Sequence, residues 1–408
     1  MGTHGSRVPL AMLWASAAAG VATGVLRPRS GLIEPAPVAA RDYFSGEQIE
    51  RARAYQRPQR LLGLAGMTLE GAALTLIALR PPPRLSRELE RAGANPIAGA
   101  AAFGAGLSLG SRALGLPLSA VRQRRAKRAG ISVQSWPGWL SDVAKSSAIG
   151  SGLNAAALAG AMGLLRRYRS HWWLPASLGA TAVSSAFILL SPVLLDPVFN
   201  KFEPLPEGEL RREVLALAER AGVQVGEVYR IDASRRTTAA NAYVTGLGRT
   251  KRVVLFDTLL NDFPAGEVHS VVAHELSHVR YRDVQRALVW LGIAAPAGLH
   301  LVQRLTEWIA GDDEPTPAML PALILSLGIV SFAGGIASTA LSRRVEQRAD
   351  AFALDLTEDP DSFIELERRL AVKALADPQP PRLLQKLFGT HPDAIQRIGY
   401  GVTYAGSR

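Results

Sequence analysis

The chain has 408 residues, 48% of them hydrophobic, and a formal net charge of +11. It contains no cysteine, which excludes disulfides, thiolate metal ligands and a cysteine nucleophile. Nor does the basic charge point to nucleic acid as a partner: it lies in loops beside apolar segments, where anionic lipid and membrane orientation account for it, and no nucleic-acid-binding motif accompanies it.

Five apolar stretches in the first half are long enough to cross a hydrocarbon core at about 1.5 Å per helical residue. They are residues 9–26, 61–79, 97–118, 147–165 and 174–199. The first has some features of a secretory signal, with Arg7 before it and Ala15-Ser16-Ala17 inside it. Its length, the close-following Arg27 and Arg29, and the spans beyond it identify a retained membrane helix instead. Small residues at Gly20 with Gly24 and at Gly106 with Gly110 suit close packing between membrane helices. Glu70, inside the second span, is expected to face the bundle interior or a water-filled cavity.

The loops differ in basic content. The first carries Arg27, Arg29, Arg41, Arg51, Arg53, Arg57 and Arg60, and the third Arg122, Arg124, Arg125, Lys127, Arg128 and Lys145. Both are expected on the cytoplasmic side, with the N-terminus outside.

A polar segment follows, residues 200–263. It reads as an amphipathic helix over 209–221, a strand over 227–232, and a hairpin of 241–247 with 251–256 around Gly246-Leu247-Gly248. An edge strand placed here can receive an extended peptide by backbone hydrogen bonding.

Next comes His274-Glu275-Leu276-Ser277-His278, expected on a buried helix over 264–282 that Asp262 caps and Pro264 opens. Four-residue spacing puts both imidazoles on one helix face, where two nitrogens can meet one ion. A neighbouring Glu suits a general base that takes a proton from attacking water. Apolar spans 287–305 and 319–341 then form a membrane hairpin, giving seven spans in all and returning the C-terminus to the cytoplasmic side. His300, in the sixth span, is expected like Glu70 to face the bundle interior or a water-filled cavity, where one chamber would accommodate both; the alternative is a place near a membrane interface. At the far end of the hairpin, Glu346 and Asp350 stand one helical turn apart: one can ligate a metal while the other accepts a hydrogen bond from a ligating imidazole. The competing reading is a solvated charged helix in which Arg343, Arg344 and Arg348 neutralise these acids. After a break at Asp377-Pro378-Gln379-Pro380-Pro381, the run from Thr390-His391-Pro392 to Arg397 offers a His or Arg to an oxyanion on the attacked carbonyl.

These motifs, in this order, resemble the type I CAAX prenyl proteases. The segments that carry the resemblance are Phe199-Asn200-Lys201-Phe202-Glu203-Pro204, Asn241-Ala242-Tyr243, residues 251–260, the His pair, the Glu346 and Asp350 turn, and His391 to Arg397. It implies a mostly α, multi-pass membrane protein with about seven helices around a chamber, and a gluzincin-like zinc protease domain with a small β-sheet. The division expected is a membrane domain over 1–199 and a peptidase domain over 200–408. It also implies one Zn²⁺ per chain on His274, His278 and Glu346, with Glu275 as general base and Asp350 holding a ligand in place. Asn241, Ala242 and Tyr243 would lie along the substrate backbone, and His391 and Arg397 would position substrate or stabilise the tetrahedral intermediate. The implied partners are membrane lipid and a peptide or protein substrate, lipidated or membrane-embedded. Ala239 departs from the pattern, since eukaryotic members carry His there. The composition looks bacterial, which favours a protease of membrane-protein quality control as the alternative. A transporter or a silent scaffold would require the His-Glu set to be incidental.

Overall fold

A computed structural model describes residues 7–246, 248, 251–311 and 314–407. Its first half is a set of long helices: α1 (Arg7–Leu26), the short α2 (Ala40–Tyr43), α3 (Gly46–Leu79), α4 (Pro83–Arg91), α5 (Pro96–Arg128), α6 (Trp136–Arg167) and α7 (Trp173–Leu194). Five of them, and two in the second half, are long and apolar enough to cross a membrane. Most of their apolar side chains point away from the protein, Leu10, Leu13, Val183 and Leu178 among them. That much outward apolar surface suits lipid, where the helix satisfies its own backbone.

Several helices outrun their apolar windows. α3 starts at Gly46, well before residue 61, because Ser45 and Gln48 form a reciprocal cap: Ser45 Oγ accepts from Gln48 N–H at 3.1 Å and Gln48 Oε1 from Ser45 N–H at 3.0 Å. Its polar first turns carry Arg53 and Arg60, which pair with Asp377 near the C-terminus at 3.7 and 3.2 Å. The third loop meets the polar segment as well, with Arg236 Nε donating to Asp142 Oδ2 at 2.8 Å. The two basic loops and the C-terminal half therefore share one face of the bundle.

Glycine packing differs from expectation. A Cβ at Gly20, Gly24, Gly106 or Gly110 would meet nothing within 4 Å. At Gly104 it would stand 2.6 Å from the Asn154 carbonyl oxygen, so this residue is the one that lets α5 and α6 close together.

The polar segment folds as α8 (Asp196–Phe199), β1 (Phe202–Pro204), α9 (Glu209–Arg220), β2 (Glu227–Ile231), β3 (Ala242–Thr245), β4 (Arg252–Phe256), α10 (Asp257–Asp262) and α11 (Ala265–Arg280). The sheet order is β1-β2-β4-β3, parallel only between β2 and β4. β3 and β4 pair antiparallel from Ala242 opposite Leu255 to Thr245 opposite Arg252, the hairpin expected; Leu247, in its turn, lies outside the described residues. Val253, Leu255, Val272 and Leu276 are fully buried between sheet and α11, each contributing about 2 kcal/mol of transfer free energy. Asp262 does not cap α11. It ends α10 and is bound by Lys373, while Pro264 precedes the helix without a side-chain cap. The first turn carries Glu267 instead, 3% exposed at its side chain and held by Arg369 Nε at 3.0 Å.

The remainder is α12 (Asp283–Ala310), α13 (Leu320–Thr357), α14 (Pro360–Lys373), α15 (Arg382–Phe388) and α16 (Ala394–Gly406). α12 and the first half of α13 form the membrane hairpin, and α13 continues past its apolar half to carry Glu346 and Asp350. A cavity of about 1570 Å³ opens between α3, α4, α5 and α13, with Glu70 and Phe388 in its wall. A Cβ at Gly115 would stand 3.1 Å from Glu70 Oε1, so glycine there leaves room for this carboxylate against α5. His300 lines a separate cavity of about 540 Å³, with Arg7, Trp14 and Arg304. It stacks edge-on between Trp14 of α1 and Trp173 of α7, with ring centroids 5.2 and 5.3 Å away.

Candidate metal centre

α11 buries Val268, Val272 and Leu276 against the sheet and turns His274 and His278 toward α13. The two rings lie 5.0 Å apart, nearly perpendicular. His274 Nε2 is 3.1 Å from Glu346 Oε2, and His278 Nε2 is 3.8 Å from Glu346 Oε1. One donor atom from each of the three residues fits within a sphere of 4.8 Å mutual separation.

Each imidazole is also held from behind. His274 Nδ1 donates to Asp350 Oδ1 at 2.9 Å and His278 Nδ1 to Asp283 Oδ2 at 3.0 Å, an assignment that leaves Nε2 as the free lone pair on both rings. Asp283 can reach back because Arg282 takes a left-handed conformation, φ 56°, which folds the start of α12 against the end of α11. Arg348 fixes that carboxylate in turn and stacks over Tyr281, 4.1 Å from the ring centroid.

The donor spacing suits a small cation. Four ligands around zinc at about 2.0–2.1 Å stand about 3.3 Å from one another, and the Nε2 to Glu346 distances of 3.1 and 3.8 Å bracket that value. Two nitrogens and one carboxylate oxygen, with the rings oriented by carboxylates, are the donor set of an open three-ligand zinc site. Burial alone would hold His274 below the usual imidazole range, yet without a metal its hydrogen bonds to the Asp350 and Glu346 carboxylates lift it to about 10, and a metal on Nε2 takes the place of that second proton. Such a pocket attracts positive charge.

The arginines of α13 do not neutralise its acids. Arg343 donates to the carbonyls of Gly389 and Gln385, Arg344 to Gln347, and Arg348 to Asp283. Glu346 and Asp350 are 8% and 0% exposed. A solvated charged helix is therefore not what this segment forms.

Glu275 follows His274 on α11, and no hydrogen bond engages its carboxylate among the described residues. Burial pushes it above the usual carboxylate range, against the pull of His274 and His278. His391 stands at the open side, half-exposed, with Nε2 3.2 Å from Glu346 Oε2. Arg397 lies behind His274. Its Nε and Nη2 donate to Asp350 at 2.9 and 2.5 Å and its Nη1 to Glu367 at 2.8 Å, so the guanidinium is committed to buried carboxylates.

β3 is an outermost strand and packs beside α11. Asn241 precedes it, exposed, and Tyr243 donates its hydroxyl to Asp196 Oδ2 at 3.1 Å, anchoring the strand to α8. Burial pushes the Tyr243 phenol up, so it remains a donor. Ala242 is buried in the sheet.

Asp283 and Glu367 are not among the residues that the sequence pattern points to, and Arg348 enters there only as a partner for the acids of its own helix. An Asp entering an apolar span five residues after the second His was a signal for the first. Glu367, in an ordinary amphipathic helix, offered none.

A family model described as peptidase family M48 matches residues 204–400, and one described as CAAX prenyl protease N-terminal, five membrane helices, matches residues 32–201. An uncharacterized metalloprotease, YhfN, of Bacillus subtilis is 31% identical over 300 residues, 72% of this chain and 70% of that protein. CAAX prenyl protease 1 of Saccharomyces cerevisiae is 32% identical over 37% of this chain and 34% of its own length, and the Arabidopsis thaliana homologue 30% identical over 53% and 52%. The chain thus spans a third to a half of these two eukaryotic relatives. The crystal structure of S. mikatae Ste24p superposes with a TM-score of 0.78 at 21% identity, covering 98% of this chain and 99% of that one.

Proposed function

Because the chain belongs to peptidase family M48, a multi-pass membrane metallopeptidase, we propose that its chemistry uses one zinc ion held by His274, His278 and Glu346, with Glu275 as general base. The observation that carries this reading is the convergence of three metal-donor atoms within 4.8 Å, with carboxylates behind both imidazoles. When bound, zinc supplies a Lewis acid and lowers the pKa of water to about 7.

The protein's own groups do the rest. β3 holds an extended substrate by its free edge through Asn241, Ala242 and Tyr243, aligning the scissile carbonyl beside α11. Glu275 takes the proton of the attacking water and passes it to the departing amine. His391, on the open side, donates to the oxygen of the tetrahedral intermediate. Asp350 and Asp283 hold the two imidazoles, and Arg397 holds Asp350.

On this reading residues 1–199 form the membrane domain and 200–408 the peptidase domain. The shared face of basic loops and catalytic half is cytoplasmic, with the N-terminus outside, and nucleic acid is not a partner.

The apolar cavity between α3, α4, α5 and α13 favours a lipidated substrate. Leu64, Met67, Phe103, Ile329, Phe332 and Phe388 supply apolar wall, and Phe388 lies three residues before His391. At about 0.8 kcal/mol per buried CH₂, a 15-carbon chain has ample binding energy. The test compares matched peptides with and without a C-terminal prenylcysteine: kcat/KM is expected to be at least about tenfold higher with the lipid, a difference of about 1.4 kcal/mol. Equal rates would contradict prenyl preference and favour a general membrane-protein protease, the reading that Ala239 supports.

A further inference from the structure

Glu367 is a charged group near the metal centre for which the reaction described above has no use. It lies on α14 with only 4% of its side chain exposed. Its Oε2 accepts from Arg397 Nη1 at 2.8 Å, while Oε1 has no hydrogen-bond partner among the described residues. Arg397 commits its other nitrogens to Asp350, and Asp350 Oδ1 in turn accepts from His274 Nδ1 at 2.9 Å. Alternating charge therefore runs inward from Glu367 through Arg397 and Asp350 to the imidazole.

Stability does not explain this arrangement. A buried carboxylate with one oxygen unpartnered opposes folding, and an apolar side chain of similar volume generally holds such a place as well or better. Electrostatics does offer an explanation. Asp350 Oδ1 is shared between His274 and the guanidinium, whose charge weakens the oxygen as an acceptor. A second carboxylate on the far side of Arg397 takes up part of that charge, so Asp350 remains a strong acceptor and His274 a more electron-rich ligand.

We propose that Glu367 is a positioning residue that raises metal affinity from a distance, by holding Arg397 and sharing its charge so that Asp350 keeps its grip on His274. The inference rests on His274 being a ligand, as read above.

The test is zinc competition against a chelator, using the full-length protein in detergent, for wild type, Glu367→Gln and Glu367→Leu, alongside the thermal midpoint of each without metal. Burial pushes the Glu367 carboxyl up to about 7, so the titrations run at about pH 8.5, where it is ionised. Both variants are expected to bind zinc about tenfold more weakly, with the metal-free midpoint at or above that of wild type. Wild-type affinity in the variants would overturn the proposal, as would midpoints that fall in step with affinity, which would make Glu367 a structural residue. His278→Ala serves as control. If wild type binds zinc no better than this variant, the ligand assignment itself has failed, a result distinct from unchanged affinity at Glu367.

Discussion

Glu275→Gln is expected to lower kcat by about 10³-fold, or about 4 kcal/mol, while the protein keeps its zinc. Gln preserves the side chain's size and the helix but cannot accept a proton. Glu275 is suited to that role because its carboxylate is free of hydrogen bonds among the described residues and is lifted by burial toward neutrality. A base poised nearer the working pH both accepts and releases a proton readily. Peptide cleavage by the purified variant, read by mass spectrometry with metal content measured on the same sample, checks the claim. Retained activity, or loss of activity through loss of metal, would contradict it.

The second large effect is expected at Glu346. Three imidazole nitrogens surround its carboxylate, from His274 at 3.1 Å, His278 at 3.8 Å and His391 at 3.2 Å. Glu346→Ala removes the carboxylate that all three face, leaving two ligands where an open zinc site needs three. Zinc content should fall from one per chain to near zero, and cleavage with it. Together the two variants separate the roles: Glu275→Gln keeps the metal and loses the reaction, whereas Glu346→Ala loses both. A Glu346→Ala protein that retains zinc would reassign the third ligand.

Much of this site was legible from local spacing. Two His four residues apart and two acids four residues apart each define one face of a helix, so the pattern alone aimed the four side chains. Span length did the same for the membrane helices. What stayed hidden depends on contacts between distant elements or on backbone detail. Asp283 reaches His278 only because Arg282 adopts a left-handed conformation, and Glu367 matters only because α16 brings Arg397 to it. His300 borders a cavity separate from that of Glu70, because Trp14 and Trp173, from helices far apart in sequence, pack on either side of it. That Arg397 binds two buried acids likewise depends on how α16 packs against α13 and α14. The early start of α3 was readable in principle, since Ser45 followed by Gln48 is a helix-start pattern that an apolar window does not detect.

The central claim is that peptide-bond hydrolysis runs on one metal ion at His274, His278 and Glu346. Its most direct test is product mass spectrometry on a peptide substrate with wild-type protein as purified, after chelation, and after return of one equivalent of zinc. Cleavage at the same bond that disappears on chelation and returns with that single equivalent is the result predicted. Cleavage that survives complete metal removal would contradict the claim.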